Sequence, residues 1–229
     1  SARASTPNAH YTPPEVIDAI YTALLSFGAG KNRILEPAMG VGNFFARLPE
    51  AMGDSTLTGV ELDSVSGRIA RLLYPKTEIH IQGFEETPLR DGAFDIIIGN
   101  VPFGSYQVAD TRYDRYHFLI HDYFLAKCVD KLRPGGIMAV ITTKGTMDKQ
   151  DQKTRRYLAQ RAELAGAIRL PDNAFQASAN TQVTTDILFL RRRELPSTEE
   201  PEWLQIGQTP QGVPVNQYYL SHPEMLLGE

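Results

Sequence analysis

Short runs of aliphatic and β-branched residues alternate with segments of helical periodicity along most of this chain. We predict seven strands, at residues 33–36, 57–61, 78–81, 94–99, 136–142, 166–170 and 186–191. Helical patterns at residues 43–52, 65–73, 116–132 and 152–164 lie between them. Strands that alternate with helices form strand-helix-strand units, which build a parallel sheet covered by helices. The sequence therefore predicts an α/β fold with a doubly wound, seven-stranded sheet.

The composition excludes several classes of protein. The single cysteine, Cys128, rules out an internal disulfide framework and a cysteine-based zinc site, as expected in a reducing cytoplasm. It lies on an i+4 stripe with Ile120, Phe124 and Leu132, which predicts a core position rather than a nucleophile. No apolar run is long enough to cross a bilayer, so no membrane association is expected. The net charge of −4 disfavours a protein that coats nucleic acid by charge alone, so any DNA contact is expected to be local.

The end of the chain differs from the alternating part. Residues 196–229 are rich in proline, glycine and polar residues and keep neither a helical nor a strand period for long. The 229 residues suffice for one α/β domain with a buried core. We therefore predict one domain, residues 1–195, and an extended C-terminal tail, residues 196–229, which is a candidate linker to further parts of a larger protein.

One cluster of basic residues stands out against the acidic net charge. It consists of Lys144, Lys149, Lys153, Arg155, Arg156, Arg161 and Arg169. The cluster is a candidate for tracking DNA phosphates, and the alternative is the solvated face of an ordinary surface helix. The charge pattern alone does not choose between these interpretations.

A glycine-rich turn follows the first predicted strand. Gly40 and Gly42 permit positive φ and close approach of a ligand to the backbone, and the helix that follows presents unpaired N–H groups to an anion. Glu61 ends the second strand about 20 residues later, where an acidic residue binds the ribose of a nucleotide. A nicotinamide dinucleotide is disfavoured because Phe45 takes the place of a third glycine. Glu36, at the end of the first strand, would repel a pyrophosphate and suits a ligand with an ammonium group.

The sequence Asn100-Val101-Pro102-Phe103 directly follows the hydrophobic strand predicted at residues 94–99. Ligands bind at this carboxyl edge of an open sheet. The motif resembles the Asn-Pro-Pro-Tyr/Phe loop of the amino-methyltransferases, which lies after their fourth strand. The resemblance implies that the Asn100 side-chain oxygen and the Val101 carbonyl accept the two hydrogens of an exocyclic amine, and that Phe103 stacks on a flipped base. Val101 departs from the family pattern, which has proline there, and leaves φ less constrained.

The segment ahead of the glycine turn adds a second match. Thr12 and Glu15 form a capping-box pattern with Pro13 at the first helical position, which by itself predicts the start of a helix. In DNA adenine methyltransferases a Tyr/Phe-Thr-Pro segment closes over the methionine end of the cofactor, and Tyr11, Thr12 and Pro13 match it. The order of the motifs resembles the gamma group of N6-adenine DNA methyltransferases, including type I modification subunits, over residues 9–191.

Four local features extend the resemblance to the methylase part of very large helicase-methylase proteins of plasmids and phages. They are residues 8–12, 59–63, 100–104 and 222–225. The resemblance implies a Rossmann-like class I methyltransferase fold, S-adenosyl-L-methionine as cofactor, DNA as substrate and a cytoplasmic, bacterial, plasmid or phage-encoded protein. Because only a short tail follows the last strand, target recognition and helicase activity are expected from further domains or subunits.

The resemblance also assigns roles to particular residues. The catalytic residues are Asn100, Val101, Pro102 and Phe103. The cofactor-binding residues are Tyr11, Thr12, Pro13, Glu36, Pro37, Ala38, Gly40, Gly42, Asn43, Phe44, Glu61, Leu62, Phe84 and Glu85. Phe84 is expected to form a hydrophobic wall at the adenine side of the cofactor, although the aspartate usual in this place is missing. Phe175, in a loop at residues 172–184, and Lys144 are expected to contact the substrate.

Other interpretations remain open. His117 and His121 have the i+4 spacing of a metal pair but lack an accompanying carboxylate cluster, so no metal site is expected. Residues 105–115 form either a lid that orders on substrate binding or a surface insertion. The alternatives to adenine methylation are a catalytically silent cofactor-binding module of a helicase-type protein and an N-methyltransferase that acts on RNA or protein glutamine.

Overall fold

The computed structural model describes residues 11–175 and 184–227 and is built around one large sheet. Its strands are β1 (Arg33–Glu36), β2 (Thr56–Glu61), β3 (Glu78–Ile81), β4 (Phe94–Asn100), β5 (Leu132–Thr143), β6 (Ala162–Arg169) and β7 (Thr185–Arg192). They lie in the order β3-β2-β1-β4-β5-β7-β6. The predicted α/β fold with a seven-stranded sheet is therefore confirmed, and every predicted strand overlaps an observed one.

The sheet is not entirely parallel, which corrects the sequence-based expectation. Strands β3, β2, β1, β4 and β5 run parallel to one another, whereas β7 pairs antiparallel with both β5 and β6. Antiparallel neighbours need only one chain reversal between them, while parallel neighbours need a crossover connection. The connection from β6 to β7 reverses the chain and inserts β7 between β5 and β6.

Seven α-helices lie in the described ranges. They are α1 (Pro14–Ser26), α2 (Asn43–Ala46), α3 (Ser64–Leu73), α4 (Ile120–Lys131), α5 (Gly145–Asp148), α6 (Lys153–Arg161) and α7 (Gln217–Ser221). None of them is long and apolar enough to span a bilayer.

Two predicted helices are shorter than the sequence pattern indicates. The pattern at residues 43–52 splits into α2 and a 3-10 turn at Glu50–Met52, because Pro49 disfavours helical geometry at the residue before it. The pattern at residues 116–132 becomes helical only at Ile120. His117 adopts a left-handed φ of 51°, which ends a preceding 3-10 turn and separates it from α4.

The two faces of the sheet carry separate apolar cores. Ile34 and Ile96 point to the core beneath α1 and α2, whereas Leu35 and Ile97 point to the core beneath α4 and α6, as the two-residue period of a strand requires. Cys128 is fully buried in the second core, and burial raises the pKa of its thiol. The predicted structural role of this cysteine is confirmed.

The segment after β7 is not the extended tail that its composition predicts. It forms a hairpin of β8 (Ile206–Gln208) and β9 (Pro214–Asn216), followed by α7. Trp203 and Tyr219 are buried against the core of α4 and α6. Large aromatic side chains favour burial even in a polar segment, because each removes a large apolar area from water. The possible use of residues 196–229 as a linker stays a prediction.

A buried arginine holds this C-terminal segment. Arg155, on α6, is completely buried, and its guanidinium donates hydrogen bonds of 3.2 and 3.0 Å to the Leu204 carbonyl and one of 3.2 Å to the Thr146 carbonyl. Burial lowers the pKa of Arg155. The guanidinium therefore satisfies two backbone acceptors, one in α5 and one in the C-terminal segment.

Substitution Arg155→Met is expected to lower the free energy of unfolding by about 2 kcal/mol, because two buried carbonyls lose their donors while the desolvation cost of the cation disappears. Urea denaturation measures this difference. Arg156→Met is the matched control, because the Arg156 side chain is exposed and pairs with Glu200. We expect this variant to change the free energy of unfolding by less than about 0.5 kcal/mol. Equal stability of the two variants would refute the anchoring role of Arg155.

Candidate active site at the carboxyl edge of the sheet

Three polar residues lie at neighbouring strand ends. Glu36 ends β1, Glu61 ends β2 and Asn100 ends β4, and β2, β1 and β4 are adjacent and parallel. The order of strands reverses between β1 and β4, which is the position where open α/β sheets bind their ligands. Glu36 and Asn100 are 64 positions apart in the sequence, and the fold brings them to one crevice because they end neighbouring strands.

The glycine turn after β1 is held by the Glu61 carboxylate. Glu61 Oε2 accepts a 2.7 Å hydrogen bond from the Gly40 N–H, and Oε1 accepts one of 2.7 Å from the Asp63 N–H. Gly40 and Gly42 have φ of 56° and 90°, as the turn requires. α2 has only four residues, so it has little helix dipole to attract a ligand. The turn instead offers a ligand its open backbone.

The Gly42 position tolerates no side chain. A Cβ there would collide with the Tyr74 ring, which is held in place by a 2.8 Å hydrogen bond from its hydroxyl to the Gly42 carbonyl. The Tyr74 ring also makes an edge contact with Phe45, at a centroid distance of 6.2 Å. The turn is thus fixed from the α3 side.

Gly42→Ala is expected to destabilise the protein by about 2–4 kcal/mol, since positive-φ strain adds to overpacking against Tyr74. Gly28→Ala is a matched control, because Gly28 has φ of 89° but open space around its Cβ position. It should cost only the strain, about 1 kcal/mol. Chemical denaturation of both variants tests the difference, and equal losses would show that Tyr74 does not restrict the turn.

The Glu36 carboxylate is buried, and no cationic side chain in residues 11–175 and 184–227 pairs with it. The residue is 2% exposed, and its Oε2 atom has no hydrogen-bond partner among the described residues. Burial and the nearby Glu61 raise the pKa of Glu36 well above its usual value. A Cβ on Gly99 would lie 3.3 Å from Glu36 Cγ, so the neighbouring strand packs closely against the side chain. An ammonium group at Oε2 would satisfy both the acceptor and the charge, which fits the ligand predicted from the sequence.

Asn100 presents a second buried acceptor. Its Nδ2 donates a 3.3 Å hydrogen bond to Thr12 Oγ1, and its Oδ1 has no partner in the described part of the chain. The amide is therefore oriented with its oxygen available for a donor. Val101 follows with a buried side chain, and its N–H donates a 3.1 Å hydrogen bond to the Ile141 carbonyl. This hydrogen bond holds the backbone at Val101, where the related motif has proline.

Thr12 does not act as the helix cap that the Thr12–Glu15 pattern predicts. α1 begins at Pro14 with Pro13 in the capping position, and no side chain caps it. Thr12 is buried and turns its hydroxyl to Asn100 instead. The second proline shifts the helix start by one residue and leaves Thr12 outside it. This contact joins the segment before α1 to the catalytic motif.

The other predicted site residues lie at several depths around this edge. Pro37 and Phe44 are buried in or beside the turn, while Ala38 and Asn43 are partly exposed. Leu62 is largely exposed beside Glu61. Tyr11 is exposed, and Pro13, Pro102 and Phe103 are partly buried, with Phe103 packed against both cores.

Phe84 lies deeper than a ligand-contacting wall would. It is buried, its ring lies 5.0 Å from that of Phe124, and Lys127 Nζ lies 5.0 Å from its centroid. Glu85 is partly exposed beside it. The cofactor contacts assigned to Phe84 and Glu85 stay predictions.

The two predicted substrate contacts differ in exposure. Lys144 is exposed at the end of β5, and its N–H donates a 3.1 Å hydrogen bond to the Thr184 carbonyl. Phe175 is buried in the core beneath α1. Residues 176–183 of the predicted substrate loop and residues 8–10 of the first motif lie outside the described ranges.

The basic cluster is largely used for structure. Arg155 is buried, and each of the following cations pairs with a carboxylate: Lys149 with Asp122, Lys153 with Asp151, Arg156 with Glu200, Arg161 with Asp130, and Arg169 with Asp148 and Asp186. Lys144 makes no ion pair within the described residues. The structure therefore favours the structural interpretation of this cluster over a phosphate-binding one.

The segment after the Asn100–Phe103 motif is bonded to α4. In the stretch predicted as a lid, residues 105–115, Asp110 Oδ2 accepts hydrogen bonds of 2.9 Å from both Lys127 Nζ and Tyr123 Oη on α4. Burial would raise the pKa of Asp110, but the hydrogen bonds from Lys127 and Tyr123 outweigh it and lower the pKa. These two contacts hold the segment against α4.

A second carboxylate, on α4, accepts hydrogen bonds from three other parts of the fold, and we call it the Asp130 hub. Asp130 Oδ2 accepts hydrogen bonds of 2.8 Å from Tyr113 Oη, 2.6 Å from Tyr157 Oη and 3.1 Å from Arg112 Nη2. Its Oδ1 accepts one of 3.2 Å from Arg192 Nη1. The hub joins the segment after the catalytic motif to α4, α6 and β7.

These supporting residues were not predicted from the sequence. A signal for them exists, because Lys127, Asp130 and Lys131 lie on a helix that the apolar pattern predicts to be covered. Charged residues on a covered helix imply partners, since burial of an unpaired charge is costly. The sequence does not reveal which segment supplies those partners.

The two histidines considered for a metal are separated by their environments. His117 is exposed, whereas His121 is buried, its Nδ1 has no partner among the described residues, and burial lowers its pKa. No group of three side chains suited to bind a metal occurs in residues 11–175 and 184–227.

Comparison with known proteins gives one family and several relatives. The family described as N-6 DNA Methylase matches residues 1–204. The chain is similar to Defense against restriction protein B of Escherichia phage P1, at 32% identity over 198 residues, which are 83% of this chain and 8% of that protein. It is also similar to Type II methyltransferase M.CvrRI of Paramecium bursaria Chlorella virus XZ-6E, at 27% identity over 80% of this chain and 48% of the relative. The chain spans less than half the length of these relatives.

Solved structures share the fold at lower identity. The modification subunit of a putative type I restriction enzyme from Vibrio vulnificus YJ016 aligns with a TM-score of 0.65 and 19% identity. The alignment covers 96% of this chain and 53% of that chain. The likeness extends from the sheet into the segment after β7.

Proposed function

The chain belongs to the N-6 DNA methylase family, and from that premise we propose that it transfers a methyl group from S-adenosyl-L-methionine to N6 of adenine in DNA. The observation that carries the proposal is a pair of buried acceptors at neighbouring strand ends, Glu36 Oε2 and Asn100 Oδ1, which have no partner among the described residues. One suits the ammonium group of the cofactor, and the other suits the amino group of the base.

The cofactor would be held by residues of β1, β2 and the turn between β1 and α2. Glu36 receives the ammonium group, Glu61 accepts from the ribose hydroxyls, and the backbone at Gly40 and Gly42 leaves room for the methionine part. The bound cofactor supplies an electrophilic methyl group on a sulfonium. Thr12 lies at the same edge of the sheet, where its hydroxyl accepts a hydrogen bond from Asn100 Nδ2.

The chain's own residues activate the amine. An exocyclic amine is a weak nucleophile because its lone pair is delocalised into the ring. The Asn100 Oδ1 atom and the Val101 carbonyl accept its two hydrogens and favour a pyramidal nitrogen with an available lone pair. Thr12 fixes the amide so that Oδ1, not Nδ2, faces the base. Phe103 stacks on the base and offsets part of the cost of taking it out of the duplex.

We further propose that other domains or subunits recognise the DNA sequence. The predicted helicase activity would also belong to those domains or subunits. Two observations support this. The predicted phosphate-binding cluster is mostly paired with carboxylates, and the chain spans only 8% of its phage P1 relative. A cytoplasmic site of action in bacteria would suit a protein with a relative in Escherichia phage P1.

A methyl-transfer assay tests the proposal. The protein is incubated with labelled S-adenosyl-L-methionine and, separately, duplex DNA, single-stranded DNA, RNA and a glutamine-containing peptide, and the products are digested and identified. We expect label in N6-methyladenine from DNA. Label in RNA or in glutamine would replace the DNA proposal by another acceptor. Calorimetry with the cofactor separates the remaining case, since cofactor binding without transfer to any acceptor would indicate a silent module.

A further inference from the structure

Helix α3 exposes a stripe of large apolar side chains. Val65, Ile69, Leu72 and Leu73 are all exposed, with Leu72 at 83%. Residues 65, 69 and 72 have the i, i+4, i+7 spacing of one helical face. We call these four residues the α3 stripe. Single exposed apolar residues are common on protein surfaces, whereas a contiguous apolar stripe marks an interaction site.

The inward face of α3 explains why the stripe points outward. Gly67 and Ala70 are the buried residues of the helix, and a Cβ on Gly67 would lie 2.8 Å from Ile81 Cγ1. The helix therefore packs closely on β3 through its small residues. An ordinary surface helix buries its leucines and exposes its small and polar residues, so α3 has the reverse arrangement.

The chain has little with which to cover the stripe itself. The residues outside the described ranges are 1–10, 176–183 and 228–229, and Val183 is the one aliphatic residue larger than alanine that they contain. Burial of a leucine stripe requires matching large apolar side chains. The cover must therefore come from another molecule or domain.

The charge around the stripe identifies the type of partner. α3 carries Arg68 and Arg71 and Lys76 follows its end, while the one carboxylate at its start, Asp63, accepts the Ser66 N–H as the helix cap. Arg68 and Lys76 are exposed and make no ion pair within the described residues. Two copies of this face would bring like charges together, which costs binding energy, whereas a partner with acidic flanks would gain it.

We propose that the α3 stripe binds an amphipathic helix of a partner protein, with aliphatic side chains on its contact face and glutamate or aspartate beside them. A straight stripe on one helix is complementary to a similar stripe on another. The site lies on α3 and β3 at the edge of the sheet, away from Asn100 on β4.

Fluorescence anisotropy with a designed peptide tests this inference. The probe is a labelled helical peptide with leucines at i, i+3, i+4 and i+7 and glutamates at the flanking positions, and a second peptide carries lysines in place of the glutamates. We expect the acidic peptide to bind and the basic one not to bind. The double variant Ile69→Gln/Leu72→Gln should weaken binding at least about tenfold, since two apolar contacts are lost. Arg68→Glu should weaken it at low salt in particular.

Leu195→Gln is the matched control, because Leu195 is 78% exposed outside α3, and it should leave peptide binding unchanged. Equal binding of the acidic and basic peptides, or no effect of Ile69→Gln/Leu72→Gln, would overturn the proposal. A dimer in analytical ultracentrifugation that the double variant dissociates would assign the stripe to a second copy instead. Binding to phosphatidylserine vesicles that the same variant abolishes would assign it to a lipid surface.

Discussion

Substitution Asn100→Ala is expected to lower kcat for DNA methylation by at least about a hundredfold, a loss typical of removing one preorganised transition-state hydrogen-bonding group. The Asn100 Oδ1 atom is buried, and no described protein group competes with the base for it. Binding of S-adenosyl-L-methionine should change little, because Glu36 and Glu61 lie on other strands. Single-turnover kinetics and calorimetry measure the two quantities separately.

Two variants sharpen this test. Thr12→Val removes the hydrogen bond that orients the Asn100 amide but leaves the amide in place, so we expect a smaller loss of kcat, about tenfold. Asn32→Ala removes an amide at the opposite edge of the sheet, where its Oδ1 accepts from the Gly30 N–H, and turnover should be unchanged. If Asn100→Ala retained full turnover, the amine-activating role of this motif would be refuted.

Substitution Glu36→Gln is expected to weaken S-adenosyl-L-methionine binding by roughly ten- to a hundredfold, the range of a hydrogen bond to a charged partner. The carboxylate is the buried acceptor that matches the ammonium group, and an uncharged amide loses the Coulomb attraction. Isothermal titration calorimetry gives the affinity. Glu199→Gln, which changes an exposed glutamate, should leave it unaltered.

The same variant should remove a pH dependence of stability. Because the pKa of Glu36 is raised in the folded state, the folded protein keeps this proton at pH values where the unfolded chain has lost it. The contribution to stability is therefore complete below about pH 4.3, the ordinary glutamate pKa, and is lost as pH rises toward the folded pKa. Thermal unfolding of the cofactor-free protein across this range should show a decline that is shallower in Glu36→Gln. An identical decline in both proteins would contradict the raised pKa.

Much of the fold follows from local patterns in the sequence. Runs such as Ile96-Ile97-Ile98 are apolar on both faces and predict a buried central strand, which β4 is. The antiparallel direction of β7 could not be predicted in this way. A strand's direction depends on which strands it pairs with in the sheet, and local sequence does not contain that information. The docking of the C-terminal segment depends on the contact of Arg155 with the Leu204 carbonyl, 49 positions away, which no local pattern contains.

The candidate site shows the same division. Glu36, Glu61 and Asn100 could be assigned from their positions at the ends of predicted strands, and the sheet brings those ends together. The contact between Thr12 and Asn100 joins residues that are 88 positions apart, and the capping pattern at Thr12 pointed to a different local role. Local chemistry therefore selects the candidate residues, while tertiary structure determines their contacts.

The Asp130 hub makes the neighbourhood of the catalytic motif part of one cooperative folding unit. The segment after the motif cannot open without breaking hydrogen bonds from Tyr113 and Arg112 to a buried carboxylate that also bonds to Tyr157 on α6 and Arg192 on β7. Amides of this segment should accordingly exchange with solvent at rates close to those of α4, and not at the faster rates of an independent loop. A mutation on the far side of α6 would then change the population of open states of this segment. It would alter methyl transfer in this way without contacting any ligand.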